Sequence, residues 1–382
     1  MKRNPRKKIL IYAAPFSYGP TGKALSLASH LKDYYDIDFS GYNTSWELIA
    51  LDSLSVSNKS KPILGNNLDD QTILNYSLII SCSDLSLALR AKSLDVKSVM
   101  FDSVFWWRSP KIEDIYSIDA YIVQDFLGVD QAIDALGKKP SNFHKVGAVF
   151  RKNISQVEKA SGGTKRILIN YGGIESPYIQ VPQNSRYPFI MTDILSPLFK
   201  DKSDFEFIVT GKSHVMKKLA NQYNNYCNVK FKTLDHNAFL SCIGRSDLVI
   251  TTPGIETFYE TVYLGKHSVL LLPHNSTQYL QLIALIDAGI ESPVCHYNYY
   301  GKKCTYKRHL DESKEVNTVI NSLNKFYYCY HSLNNYKHNF YTLIERRLME
   351  ADIYENNKQQ YLKNIGTNGG QSIIEIVGRL IN

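Results

Sequence analysis

Three short segments combine residue types that could do chemistry. The first is Thr252-Pro253-Gly254-Ile255-Glu256-Thr257-Phe258-Tyr259-Glu260, which follows the apolar run Leu248-Ile250. Pro and Gly turn the chain there, and a helix is expected to start near Ile255. The unpaired N–H groups and partial positive charge of a helix N-terminus suit a diphosphate, while Gly254 lets backbone approach a ligand closely. Glu260 lies about two turns in from Gly254, where a carboxylate can accept both hydroxyls of a ribose. Taken alone, a Gly that shapes a turn and a solvated helical Glu fit these residues equally well. The second segment is Asn275-Ser276-Thr277-Gln278-Tyr279-Leu280-Gln281, whose amides at a helix start can grip sugar hydroxyls through donor and acceptor atoms together. The third, Phe101-Asp102-Ser103-Val104-Phe105-Trp106-Trp107-Arg108, unites a carboxylate, two of the chain's three Trp and a cation. Its Asp could deprotonate a nucleophile while Trp faces stack on a ring. Packing at the core and its rim is the competing explanation for the Trp pair.

Such residues need rigid elements to aim them. Short apolar runs at Ile9-Ala14, Leu78-Ser81, Ser98-Phe101 and Tyr121-Val123 alternate with helical stretches, which implies a parallel sheet covered on both faces. Around residues 151–165 the pattern lapses into Lys, Asn, Ser, Gln and Gly162-Gly163, as a linker does. It then restarts with Arg166-Tyr171, Phe205-Val209, Val229-Phe231, Leu248-Thr251 and Ser268-Leu272. After about Ser292 the rhythm gives way to a Tyr- and Lys-rich connector and polar helices. The expected organisation is an α/β chain with a first Rossmann-like domain at 1–150, a linker at 151–165, a second at 166–330 and a helical tail at 331–382. In a doubly wound sheet ligands bind beyond the carboxyl ends of the strands, and all three segments follow strands.

With 382 residues the chain has room for two hydrophobic cores. An apolar share of 44% and a charged share of 21% exclude a disordered or collagen-like chain. The formal charge of +8 owes five positive residues to the first eight positions, which read as a solvated arm, so no nucleic-acid partner is expected. Ile9-Phe16 follows that basic run but meets Pro15 and has no convincing small-residue cleavage site, so it reads as a first strand and not a secretory signal. No segment approaches the ~18 apolar residues of a membrane span, and a cytoplasmic protein is expected. Six cysteines without a C-x-x-C pair read as reduced thiols. A zinc site from Cys295, His296 and Cys304 lacks a fourth ligand, and no metal is expected. His30 and His144 have no evident carboxylate partner and are set aside, and Glu175 reads as a surface-loop residue.

The run from Asp247 to Gly289 resembles the donor-binding segment of GT-B glycosyltransferases, especially the N-acetylglucosaminyltransferases that form lipid II. It has a strand, a Gly-containing turn, a Glu six residues after the Gly, a Gly265-Lys266 step, an apolar strand ending in Pro273, and the Gln278 and Gln281 amides. The resemblance implies two Rossmann-like domains facing each other across a cleft. It also implies that Gly254, Ile255, Glu256 and Thr257 face a diphosphate, Glu260 a ribose, and Gln278 and Gln281 a donor sugar. Tyr171-Gly172-Gly173 resembles the Gly-rich loop after the first strand of the donor domain, Thr210-Gly211-Lys212 a second loop lining it, and Leu234 the residue whose backbone reads uracil. Pro15-Phe16-Ser17-Tyr18-Gly19-Pro20-Thr21-Gly22-Lys23 resembles the loop opening the acceptor domain, with Tyr18, Gly19, Thr21, Gly22 and Lys23 the acceptor contacts and no loop His as base. It is neither G-x-G-x-x-G nor a Walker loop. Asp102-Ser103 with Trp106, and Pro273-x-Asn275-x-x-Gln278, also resemble cytosylglucuronate-synthase-like enzymes of nucleoside-antibiotic pathways, which couple UDP-glucuronate to cytosine. On that likeness Trp106 and Trp107 form a slot for a flat base, and Lys23 or Arg108 neutralises a sugar carboxylate.

The expected activity is transfer from a UDP-sugar to a small acceptor, with Asp102 as base, no metal, inversion as the family norm and a homodimer as one allowed assembly. A helix N-terminus after Gly254 would stabilise the departing diphosphate, and no D-x-D pair stands in a plausible loop. The alternatives are a UDP-sugar 2-epimerase or nucleotide-sugar hydrolase of the same fold, for which an aromatic acceptor slot is superfluous, and a subunit that only binds a partner, which a complete donor segment disfavours.

Overall fold

Strand β1, Lys8–Ala13, reads KILIYA, and every residue after Lys8 is buried on both faces. Each such Ile or Leu withdrawn from water stabilises by roughly 1.5–3 kcal/mol, so runs of this kind become central strands. The computed structural model describes residues 6–52, 58–59, 63–108, 111–159, 163–174, 186–295, 312–350 and 353–381. Its contacts divide the chain into two units, Met1–Ile154 with Lys363–Asn382, and Ser155–Leu362.

In the first unit β1 is joined by β2 (Asp36–Gly41), β3 (Asn58–Lys59), β4 (Leu78–Cys82), β5 (Lys97–Asp102), β6 (Ala120–Gln124) and β7 (Phe143–Val146). They form a seven-stranded sheet in the order β3-β2-β1-β4-β5-β6-β7, parallel throughout, with Ile11 registered opposite Phe39 and Ile80. Strand order reverses between β1 and β4. The first helix, Gly19–Leu31, starts with Pro20 in its first turn, where a missing N–H costs nothing. Thr21, Gly22 and Lys23 therefore lie in the helix, and the loop expected to run as far as Lys23 ends at Tyr18.

The second unit repeats the plan with β8 (Arg166–Asn170), β9 (Glu206–Thr210), β10 (Val229–Lys232), β11 (Leu248–Thr251) and β12 (His267–Leu270), ordered β10-β9-β8-β11-β12 and again parallel. Here the reversal falls between β8 and β11.

Among the described residues the helices Glu312–Tyr328, Tyr330–Met349, Ile353–Ile365 and Gly369–Ile381 follow. The last packs into the first unit, its Ile373, Ile376, Val377 and Ile381 sharing a core with Leu25 and Ala28. In the second unit Arg347 and Lys358, both fully buried, meet the Glu291 and Glu355 carboxylates and donate to Ser268 O at the start of β12. Among the described residues no helix is long and apolar enough to cross a membrane.

Candidate functional site

Parallel strands deliver all their carboxyl ends to one edge, so the topology of the second unit gathers Gly172, Gly211, Leu234, Gly254 and the start of the Asn275 segment at the same rim. Asn170 ties the two strands flanking the reversal. Its Nδ2 donates to Thr251 Oγ1 at 3.0 Å, its Oδ1 accepts from Gly172 N at 3.0 Å, and its carbonyl accepts from Thr252 N at 3.0 Å. Gly172 has φ +66°, a conformation glycine adopts freely. Two residues on, the β-branched Ile174 has φ +62°, which costs strain and is concentrated at functional loops. Thr233 Oγ1 donates to Gly211 O at 3.0 Å, joining the loops after β9 and β10, and Thr210 is buried at the end of β9.

Gly254 heads the helix Ile255–Tyr263 in an extended conformation, and a Cβ there would meet nothing nearer than Thr252 O at 3.9 Å. Neither backbone conformation nor internal packing demands glycine at this position, so what its bareness leaves open is the approach to the helix N-terminus. Ile255 is buried, and Glu256 and Thr257 are partly exposed in the first turn. A carboxylate in that turn is favoured by the helix dipole.

Glu260 is neither solvated nor on the surface: it is 1% exposed and accepts from His236 Nε2 at 2.6 Å. His236 is the first residue of the helix His236–Gly244, which Asp235 caps through Ala238 N at 2.9 Å. Sequence reasoning missed His236 because its carboxylate partner lies 24 residues downstream; its position two residues after Leu234, beside a capping Asp, was the available signal. His236, Glu256 and Glu260 bring one ligand atom each within 4.8 Å of one another, a grouping able to hold a metal ion.

Asn275 caps the helix Ser276–Asp287 by accepting from Gln278 N at 2.8 Å. Gln278 folds back on His274: its Oε1 accepts from His274 N at 3.2 Å and its Nε2 donates to His274 Nε2 at 3.1 Å. This places the imidazole proton on Nδ1, and burial pushes the His274 pKa down to about 4. Gln281 is buried one turn further on, and its Oε1 has no hydrogen-bond partner among the described residues.

The first unit holds the other candidates. Asp102, at the end of β5, is 0% exposed; its Oδ2 accepts from Tyr121 OH at 2.8 Å and its Oδ1 from Val104 N at 2.9 Å. Both oxygens thus fasten the turn, and service as a base requires exchanging one of these bonds for an acceptor hydroxyl or N–H. Trp106 is buried against Phe126, with ring centroids 5.5 Å apart, while Trp107 is only partly buried. Arg108 ends the short helix Phe105–Arg108, and its side chain lies outside those described. Lys23 is buried and donates to Val149 O at 2.8 Å, and Thr21 and Gly22 are buried beside it. Tyr18 is partly buried and Gly19 exposed at the helix start. Glu175, His296 and Cys304 lie outside the described residues.

No protein-family model matches the sequence, and no curated protein matches it. Among solved structures the chain is similar to the glycotransferase of kitacinnamycin, with a TM-score of 0.50 and 11% identity over 100% of both chains. It is similar to a Medicago truncatula UGT complexed with UDP-glucose, with a TM-score of 0.50 and 10% identity over 98% of each chain. It is likewise similar to the UDP-GlcNAc 2-epimerase from Neisseria meningitidis bound to UDP-GlcNAc, with a TM-score of 0.50, 10% identity, and coverage of 97% of this chain and 100% of that one. At such identities likeness speaks for architecture and not for chemistry. Two doubly wound α/β units, the C-terminal helices and these full-length matches together make the fold GT-B.

Proposed function

We propose that the chain is a glycosyltransferase that moves a sugar from a UDP-sugar to a small aromatic or heterocyclic acceptor, with UDP-glucuronate and cytosine the first pair to try. The observation that carries this is the helix Ile255–Tyr263, which opens on the bare Gly254 beside the strand reversal and carries the buried Glu260 inward. Its N-terminus suits the diphosphate, whose negative charge grows as the glycosidic bond breaks. Gln278 and Gln281 then face the sugar, Leu234 the base, and Gly172, Gly173, Thr210 and Gly211 line the remaining rim. On this proposal the dipole and backbone N–H groups suffice for the leaving group, no metal ion is needed, and transfer inverts the anomeric centre. Tyr18, Trp106, Trp107 and Arg108 would receive the acceptor, with Asp102 the candidate base.

A second activity, epimerisation or hydrolysis of the UDP-sugar without a separate acceptor, is equally compatible with this architecture, which the 2-epimerase shares.

Thermal-shift measurements with UDP, dTDP and GDP test the donor site. UDP should raise Tm most, and no shift with any of the three would overturn the proposal. Mass analysis of incubations with UDP-glucuronate, with and without cytosine, then separates transfer from epimerisation and hydrolysis.

A further inference from the structure

We infer that His236 positions Glu260 to read a ribose, so that the site selects ribonucleoside diphosphates over their 2′-deoxy counterparts. The inference rests on the donor-site proposal above and adds to it a residue and a selectivity.

A buried carboxylate is costly unless it is hydrogen-bonded. Glu260 lies in the second turn of its helix, beyond the first turn where the dipole helps most. Its support comes from His236 Nε2, which donates to Oε1 at 2.6 Å from a neighbouring helix. The other oxygen, Oε2, is buried with no hydrogen-bond partner among the described residues. An acceptor orphaned in this way costs about 1–3 kcal/mol, which a ligand group that donates to it would recover. A ribose hydroxyl is a donor of the right kind to satisfy it.

The chain connectivity strengthens the case. Leu234, whose backbone is assigned to the base, is separated from His236 by Asp235 alone, and Asp235 fixes the start of the helix by accepting from Ala238 N. Base reading and ribose reading are therefore mounted on one three-residue stretch, so Glu260 is held from the peptide that would contact the uracil. One ring nitrogen fixes the rotamer of the carboxylate before a ligand arrives, which reduces the ordering that binding must impose.

The test is calorimetric titration of the full chain with UDP and with 2′-deoxy-UDP. The wild type should prefer UDP by roughly tenfold or more, as a hydrogen bond to a charged group predicts. His236→Phe should bring the two affinities close together, whereas His236→Gln, which keeps an N–H donor at the same reach, should retain most of the preference. Melting temperatures recorded in parallel separate a purely structural part, and His236→Ala serves as the donor-free variant if His236→Phe does not fold. An unchanged UDP preference in a folded, donor-free variant overturns the positioning role alone. A wild type that binds UDP but not more tightly than 2′-deoxy-UDP overturns the ribose selectivity, and a wild type that binds neither overturns the donor site itself.

Discussion

Gln278 and His274 clasp each other, amide oxygen to backbone N–H at 3.2 Å and amide nitrogen to ring nitrogen at 3.1 Å. Each amide atom keeps a second valence, one hydrogen and one lone pair, with which to hold a hydroxyl. The clasp fixes which way those valences point. His274→Phe keeps a ring against Tyr187 but removes the acceptor, so Gln278 must be ordered anew by the ligand. The expected outcome is a loss of about 3- to 10-fold in UDP-sugar affinity, from roughly 0.5–1.5 kcal/mol of side-chain ordering, with UDP affinity unchanged. Equal losses for both ligands would place the effect away from the sugar.

The same histidine gives stability a pH dependence. In the folded chain burial holds its pKa at about 4, down from 6.5, so the unfolded chain binds the proton more readily between these values. Stability is intact above the unfolded pKa and falls as pH drops through the interval. The decline amounts to about 2 kcal/mol by about pH 5. Urea unfolding of wild type and His274→Phe near neutrality and at about pH 5 measures it, the expectation being that the variant lacks this part of the decline.

Local patterns made the donor half legible and distant partners hid the rest. Four of the five strands of the second unit are built on continuous apolar runs, β10 (VKFK) alternating instead, and the Gly254-to-Glu260 spacing lies within one turn and one helix. Strand β2 was missed because DIDFSG alternates apolar with polar residues, yet Asp38 is buried and accepts from Tyr76 OH at 3.0 Å, a partner 38 residues away. Edge strand β7, FHKV, is half exposed and carries no run to see. Likewise the amphipathic pattern of residues 369–381 announces a helix but not the core it joins, since periodicity fixes a face and not its partner.

Asp102 offers a clean separation of roles. If it is the base, Asp102→Asn should lower kcat by about 10²- to 10⁴-fold with both substrates saturating. Tyr121→Phe, which removes only the hydroxyl that donates to Asp102, should cost about 1 kcal/mol of stability and spare turnover. Unchanged turnover in Asp102→Asn would reduce the carboxylate to a fastener of the turn at Val104.

Around Ser268 the buried charges balance, Arg347 and Lys358 against Glu291 and Glu355. Lys358→Met leaves one cation facing two buried carboxylates, and removal of one member of such a set costs roughly 3–5 kcal/mol. Urea denaturation should register the loss. Combining Lys358→Met with Glu291→Gln should recover part of it, because the second change removes the excess negative charge.

Gly370 lies against the ring of His30, where an added Cβ would clash with Nε2. The ring cannot swing aside freely, because that nitrogen is hydrogen-bonded to Phe150 O at 2.8 Å. Gly370→Ala therefore sets an added methyl against a fixed side chain, and overpacking of this kind costs about 1–3 kcal/mol. Since helix propensity alone favours Ala over Gly by about 1 kcal/mol, a net loss of stability would show that packing decides the outcome. The double variant with His30→Ala makes room for the methyl and should be more stable than His30→Ala alone. If Gly370→Ala instead raised Tm in the wild-type background, the close approach of the last helix to His30 would be disproved.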